Sequence, residues 1–428
     1  MTGRRRPTPS RTSRNSRTSA LAAAAAAAAC LSLTAGCGVI PGTAEDGRDD
    51  PITVMTWAPE KTKATNKPGV PAMAQAFARW VNAHGGIDGR ELKVLTCNDH
   101  NDPVGAADCA REAVDQDVAA VVGAYSQHGG SFLAPLEVAG IPYIGGYGVT
   151  DDEFSSPLSY PVNGGEPALL AGNGRQLADR CDRVALVRPD TLAGDELPKL
   201  LNSGLRDGHH KPVADIRAPE DGTDLTPQAE QALKHAGAKG GCVTAALGAR
   251  TDTFYDSFRR TKADYPPVRI SSVLGSVDQS LVDRTGGASG PYEGAYVTGW
   301  YPASGDPRWS QMRRVIREQA FGDNRVDPAD AGVQTTWIAY TVLKRAVESL
   351  DGGEVTARTL RRALDGGLRV ETGGLTPTLS WRFEDLIAAS EFPRLINSGV
   401  TFQVVRDGRL VPARKGFVDV EATLEQSA

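Results

Sequence analysis

Histidine and cysteine are scarce in this chain, with six of each in 428 residues. Neither falls into a spacing that holds a metal: there is no H-E-x-x-H pair and no C-x-x-C. No G-x-S-x-G elbow presents a nucleophilic serine, and no G-K-[ST] loop cradles a phosphate, so the usual marks of hydrolases and nucleotide-binding enzymes are missing. The Ala-rich stretch at residues 20–33 is too short for a comfortable membrane span. An excess of positive charge is missing as well. The formal net charge is −5, and residues 1–36 hold six arginines (Arg4, Arg5, Arg6, Arg11, Arg14, Arg17) and no acid, so the rest of the chain stands at −11. That balance argues against nucleic acid or an anionic surface as the main partner.

What is present begins with an export segment. Residues 1–36 read as a signal peptide: an arginine-rich start, an Ala-rich core, and Leu33-Thr34-Ala35-Gly36-Cys37 at its end. Small residues just before a cysteine resemble the lipobox of bacterial lipoproteins, although Thr34 stands where leucine is most usual and Leu33 is one place early. The resemblance implies that Cys37 carries lipid and becomes the mature N-terminus; an ordinary cleaved signal with an incidental cysteine is the alternative. Arg4-Arg5-Arg6 lacks the hydrophobic residues that twin-arginine export expects after it. Residues 37–50 are small and polar, fit for a flexible tether. With Cys30 in the leader and Cys37 in the lipobox, Cys97, Cys109, Cys181 and Cys242 remain. An even number outside the cytoplasm suggests two disulfides, with three connectivities open. The nearest pairing joins Cys97 at a strand end to Cys109 on the next helix. Cys181 and Cys242 each precede an apolar strand and would be bridged if those strands are neighbours.

The chain then alternates strands and helices twice. Met73, Phe77, Trp80, Val81 and His84 fall at spacings of three and four, an apolar helix face stopped by Gly85-Gly86. Residues 92–96 follow as a strand, and Asp102-Pro103 gives the next helix an N-cap and a first-turn proline. The apolar run at 118–122 suits a buried parallel strand. It opens onto Gly123-Ala124-Tyr125-Ser126, a polar loop where open α/β sheets bind ligands. Residues 160–165 read as a crossing strand and linker. After them, strands are expected at 184–187, 213–216, 243–247 and 269–273, with helices near 196–205, 226–236 and 253–263. Residues 294–300 read as a return strand, 334–350 and 356–364 as helices, and the end as a hairpin turning at Asp407-Gly408. The expected fold is α/β: two parallel-sheet lobes flanked by helices, with a ligand cleft between them. Residues 51–163 and 300–395 form the expected lobe 1, 164–299 and 396–415 lobe 2, and 416–428 a C-terminal tail.

Several segments resemble a known family. Asn82-Ala83-His84-Gly85-Gly86-Ile87-Asp88-Gly89-Arg90 looks like its "N-x-x-G-G-I-x-G-R", and Asp99 through Asp102-Pro103 is similar to its "D-x-x-x-D-P". Val118 to Gly123 matches "V-x-A-V-V-G" and Ala139-Gly140-Ile141-Pro142 "A-G-I-P". Together they resemble the solute-binding lipoproteins of ABC transporters in the branched-chain amino-acid class, with the type I periplasmic-binding-protein fold. The motifs cover the first lobe; beyond Gly165 only the order and lengths of elements agree. The resemblance implies a monomer without cofactor or metal that performs no chemistry. It closes two lobes over a small solute and docks on a membrane permease. A surface sensor that signals to a protein partner is the second reading.

The resemblance also implies where the ligand sits. The loops after the first, third and fourth strands would face the cleft, bringing Trp57, Tyr125, Ser126, Gln127, Gly146, Tyr147 and Thr150. Ser126 matches the position whose neighbourhood binds the solute carboxylate, or is a turn serine at a helix start. Trp57, Tyr125 and Tyr147 supply cleft walls or core packing. Gly146 allows backbone approach or makes a tight turn. In the second lobe, amino-acid-binding members place an acid where this chain has Val273-Leu274-Gly275-Ser276. Leu274 cannot receive an ammonium. Asp278 is the substitute acid or a helix N-cap, and Arg250 grips an anion or starts a solvated helix. Asp99, His100 and Asp102 form a metal-like cluster that the family segment places in a solvated turn. His209-His210 reads as exposed, and His128 beside Ser126 has no paired acid in view.

Overall fold

The computed structural model describes residues 50–426 apart from 64, 192, 207–210, 220, 238, 239 and 266. The signal peptide, Cys37, the tether up to residue 49 and His209-His210 lie outside the described residues.

The first sheet is parallel and ordered β2-β1-β3-β4-β5, from β1 (Ile52–Trp57), β2 (Leu92–Cys97), β3 (Ala120–Val122), β4 (Tyr143–Ile144) and β5 (Ser159–Tyr160). Helices α1 (Gly69–Ala83), α2 (Pro103–Asp115), α3 (Gly129–Ala139) and α4 (Asp152–Ser155) connect its strands. Strand period decides which face each residue covers. In β1, Ile52 and Val54 enter the core that includes Phe77 of α1, whereas Met55 and Trp57 enter the core with Cys109 of α2 and Phe132 of α3. Both faces are covered, which is why these strands read as unbroken apolar runs.

Residues 160–165 do not form a crossing strand. Tyr160 pairs with Ile144 as the edge of the first sheet, and the crossing follows it. α5 (Gly165–Ala178) then leads into the second sheet, built on β6 (Arg183–Pro189), β7 (Ala214–Ala218), β8 (Gly241–Ala245), β9 (Arg269–Val273) and β10 (Tyr296–Gly299). Their order is β7-β6-β8-β9-β10, all parallel. Helices α6 (Leu197–Leu205), α7 (Thr226–Ala236), α8 (Thr251–Thr261) and α9 (Gln279–Arg284) lie between the strands. β8 ends two residues earlier than its apolar run because Leu247 turns into a short 3-10 segment, and α8 starts at Thr251, two residues before the expected helix.

The chain returns to the first sheet through α10 (Ser310–Gln319), α11 (Ala331–Glu348) and α12 (Ala357–Asp365), with α11 packed on α1, β3 and β4. It re-enters the second sheet as β11 (Gly399–Arg406), antiparallel to β10, then turns into β12 (Arg409–Pro412); β13 (Val418–Asp419) and α13 (Glu421–Glu425) follow. Asp407 and Gly408 both have positive φ, 52° and 69°, as a two-residue hairpin turn requires. The crossings are bonded to one another: Asn163 Nδ2 donates to the Tyr301 hydroxyl at 3.1 Å, and Asn397 Nδ2 to the Val162 carbonyl at 3.2 Å.

One disulfide ties the first sheet to a covering helix, and the other joins neighbouring strand starts of the second sheet. Cys97 at the end of β2 is bonded to Cys109 of α2, and Cys181 just before β6 to Cys242 of β8, each with Cα atoms 5.7 Å apart. The second bridge forms because β6 and β8 are direct neighbours, with Val184 opposite Cys242.

Candidate functional site

The loops at the carboxyl ends of β1, β3 and β4 are tied edge to edge by backbone bonds: Tyr125 N–H donates to the Trp57 carbonyl at 3.0 Å and Tyr147 N–H to the Ala124 carbonyl at 3.1 Å. This staircase sets two phenols against each other, with Tyr125 and Tyr147 ring centroids 4.9 Å apart and edge to face. Trp300, just beyond β10, adds a third ring 5.2 Å from Tyr147. Its indole N–H donates to the Gly165 carbonyl at 2.8 Å, which fixes the ring plane.

A lysine lies among these rings. Lys67 sits just before α1, its backbone N–H held by the Pro59 carbonyl at 2.8 Å. Its ammonium is 5.5 Å from the Tyr147 centroid and 3.2 Å from Asp330 Oδ2, with the side chain 14 % exposed. Asp330 caps α11, accepting from Gly332 N–H at 2.7 Å and Val333 N–H at 3.0 Å. Burial works to lower the Lys67 pKa, yet Asp330, Tyr125 and Asp278 outweigh it and the pKa is raised. Burial also raises the Asp278 carboxyl, with Asp330 and Asp327 adding to it and Lys67 opposing. Behind the rings, burial pushes Glu166 up to about 8, helped by Asp151 and Glu153. Glu153 is pushed to about 7 by burial, although its carboxylate accepts backbone N–H bonds from Gly148, Val149 and Thr150 at 3.0–3.2 Å.

The expected site residues divide into two groups. Tyr147 lies against Lys67, Tyr125 packs on Tyr147, and Asp278 acts on Lys67 electrostatically. Asp278 is also the N-cap of α9, accepting from Leu281 N–H at 2.8 Å, so both readings of it hold at once. Ser126 is buried; its hydroxyl accepts from His128 N–H at 3.2 Å as a turn serine, and it lies against Asp99, whose burial-raised carboxyl it helps to lower. Gln127 is exposed at the rim. The others stand elsewhere. Trp57 is fully buried against Phe132 and Tyr143, at 5.4 and 6.2 Å between centroids, because its place in β1 turns it toward α2 and α3. A Cβ on Gly146 would strike Tyr143 and Glu153, so this glycine lets the loop close over a core tyrosine and an acid. Thr150 serves Glu153 through its N–H. Arg250 holds the carbonyls of Pro219 and Gly222, each at 2.5 Å. Of the metal-like cluster, Asp102 caps α2 through Gly105 N–H at 2.7 Å and His100 is exposed; among the described residues no group of three ligating side chains converges.

Lys67, Asp330, Trp300 and Glu166 are the cleft residues that the sequence reading missed. Asp330 carries a signal, since Asp330-Ala331-Gly332 opens the helix that was expected only from residue 334. Lys67 carries none. It is one lysine in a polar stretch with Lys61 and Lys63, and tertiary packing alone selects it.

Two sheets of mostly parallel strands, joined by short crossings and carrying a cluster of aromatic and charged side chains at their loop ends, define a bilobal ligand-binding protein. The chain belongs to the periplasmic binding protein family, whose model matches residues 62–386. That family is extracytoplasmic and binds solutes without chemistry. Among the described residues no helix is long and apolar enough to cross a membrane. No curated protein matches the sequence. Solved structures do. A substrate-binding periplasmic protein from Ralstonia solanacearum is 17 % identical with a TM-score of 0.69, over 84 % of this chain and 99 % of that one. A possible leucine/isoleucine/valine-binding protein from Rhodopirellula baltica SH 1 is 13 % identical with a TM-score of 0.71, over 87 % and 98 %. A solute binding protein of an ABC transporter from Rhodopseudomonas palustris BisB5, in complex with 3,4-dihydroxy benzoic acid, is 16 % identical with a TM-score of 0.69, over 87 % and 98 %. At such identities the likeness is one of fold.

Proposed function

We propose that this chain is an exported, lipid-anchored solute-binding protein of an ABC importer, which closes two lobes over a small polar or amphipathic solute and delivers it to a membrane permease. The observation that carries the reading is the cleft itself. Tyr147 from the loop after β4 packs on Trp300 at a crossing, and a Cβ on Gly275 in the loop after β9 would meet the Tyr147 hydroxyl. Closure of such a cleft removes water from Lys67, Asp330 and Asp278 and strengthens whatever polar contacts they make. Residues 51–163 and 300–395 act as one lobe, 164–299 and 396–415 as the other. Tyr125, Tyr147 and Asp278 contact the solute, with Ser126 and Gln127 beside them. The protein works as a monomer, and lipid on Cys37 keeps it at the outer face of the cytoplasmic membrane. The family match supports the solute-binding part, and a structural neighbour in complex with 3,4-dihydroxy benzoic acid supports a small solute of that size.

Folded protein without residues 1–37 is expected to melt higher with at least one amino acid, amide or aromatic acid from a broad metabolite library, as a ligand that binds only the native state requires. No shift from any compound would sink the reading. Labelled fatty acid should enter the full chain in a bacterial host and fail to enter Cys37→Ala.

A further inference from the structure

The charges in the cleft do not balance, and their imbalance favours a cation. Asp330 and Asp278 act on one cation, Lys67, whose Nζ is 3.2 Å from Asp330 and 5.5 Å from the Tyr147 centroid. A lysine taken out of water ordinarily loses its proton more easily. This one holds it more firmly, because burial is outweighed by Asp330 with help from Tyr125 and Asp278, and the Tyr147 ring lies over the ammonium as well. The apolar side of the same space is aromatic, with Tyr125 4.9 Å and Trp300 5.2 Å from Tyr147. An anion placed there would face two carboxylates with a single lysine that is already paired. The Lys67 backbone N–H is held by the Pro59 carbonyl.

We propose that the cleft is a cage for an ammonium group, that Lys67 is the chain's own occupant of it, and that the solute is an aromatic or similarly apolar amine whose ammonium displaces Lys67 from Asp330 and the Tyr147 ring, with Asp278 acting on the same charge. The inference rests on the solute-binding reading above and narrows its ligand class. It replaces the missing acid at Leu274 with a different pair, Asp278 from the second lobe and Asp330 from the first.

The test is calorimetric titration of the folded protein, wild type and Lys67→Met, with phenethylammonium, phenethyl alcohol and phenylacetate. Methionine keeps the length of the lysine stem and removes its charge. Phenethylammonium is expected to bind Lys67→Met at least about tenfold tighter than wild type, since the cage no longer has to be emptied. Phenylacetate should bind neither protein. If Lys67→Met does not fold, Asp278→Asn in the otherwise native chain takes its place, with a loss of phenethylammonium affinity expected and phenethyl alcohol unchanged. Phenylacetate binding that disappears in Lys67→Met would make Lys67 an anion receptor and overturn the cage. Equal affinity of wild type and Lys67→Met for phenethylammonium overturns it as well, as does no binding of that amine to any of the proteins. A cage that fails while other metabolites still stabilise the wild type leaves solute binding intact, so the two failures are distinct.

Discussion

The hydroxyl of Tyr147 fills the space that a side chain at position 275 would need. Gly275 sits two residues past β9 with φ of +88°, and a Cβ built on it would meet the Tyr147 oxygen before anything else. The turn is tight because Leu274 N–H reaches back to the Thr298 carbonyl at 2.7 Å and Ser276 N–H to Val273. One missing side chain in the second sheet's loop therefore sets how closely the first sheet's tyrosine approaches.

Gly275→Ala should lower the melting temperature, by a left-handed strain of roughly 1 kcal/mol and a further cost for moving Tyr147 off Trp300. Tyr147→Phe removes the oxygen that the new methyl meets. In a double-mutant cycle by denaturant unfolding, the pair should therefore cost less than the sum of the single changes by more than about 0.5 kcal/mol. Strict additivity would show that the two residues do not share that space.

The two disulfides should differ in what they contribute. The first closes a separation of 12 residues and the second one of 61. By loop-closure entropy these correspond to about 3 and about 4 kcal/mol. Cys181→Ala/Cys242→Ala should thus lower the unfolding free energy more than Cys97→Ala/Cys109→Ala. The reverse order would mean that strain or residual unfolded structure outweighs the entropy. Thiol mapping of the exported protein that found Cys97 and Cys109 free would remove the first bridge altogether.

How far the sequence could be read depended on whether local pattern or tertiary position set the outcome. Helix α1 was legible because its apolar spacing is local and Gly85-Gly86, at φ of 94° and 78°, can only end it. Cys97 and Cys109 were legible because a strand end and the following helix are neighbours in any α/β unit. Trp57 was not, because the loop after a strand and its last inward residue look alike in sequence, and only the parity of β1 sends the indole to Phe132. Of the two readings of Arg250 the helix start holds, since it is the N-cap of α8; its guanidinium partners, the carbonyls of Pro219 and Gly222, are ones that no side-chain pattern marks. Lys67 and Asp330 meet across 263 positions of sequence, and nothing near either of them announces the other.

Asp330 does two jobs that substitution can separate. As the N-cap of α11 it satisfies two backbone N–H groups, and as the partner of Lys67 it balances a mostly buried charge. Asp330→Asn keeps a good cap and loses the charge, at a cost of about 1–3 kcal/mol, because the pair is partly buried and Asp278 still acts on Lys67. Asp330→Ala loses the cap too, for roughly 1 kcal/mol more. Replacing Lys67 by Met at the same time should recover most of the loss in Asp330→Asn. Chemical denaturation measures all of these, and no recovery in the double variant would show that Lys67 is not what Asp330 stabilises.

Stability should fall as pH rises across neutrality, with Glu166 among the causes. Its carboxyl titrates at about 8 in the folded chain against an ordinary value of 4.5, and burial is the main reason. The folded state therefore holds a proton that the unfolded state has already released. Between those two values the unfolded chain binds fewer protons, so the unfolding free energy declines with pH, by at most about 1.4 kcal/mol per pH unit for one such group. Glu153, at about 7, acts in the same direction. His235, whose pKa burial lowers, acts oppositely near its ordinary value, so the slope of the wild type alone is not diagnostic. The comparison with Glu166→Gln is. The variant should lose less stability than wild type from about pH 5 to about pH 8, and the two should draw apart most steeply over that interval. Parallel curves would mean that Glu166 is already ionised in the folded protein at neutral pH, and that burial does not hold its proton.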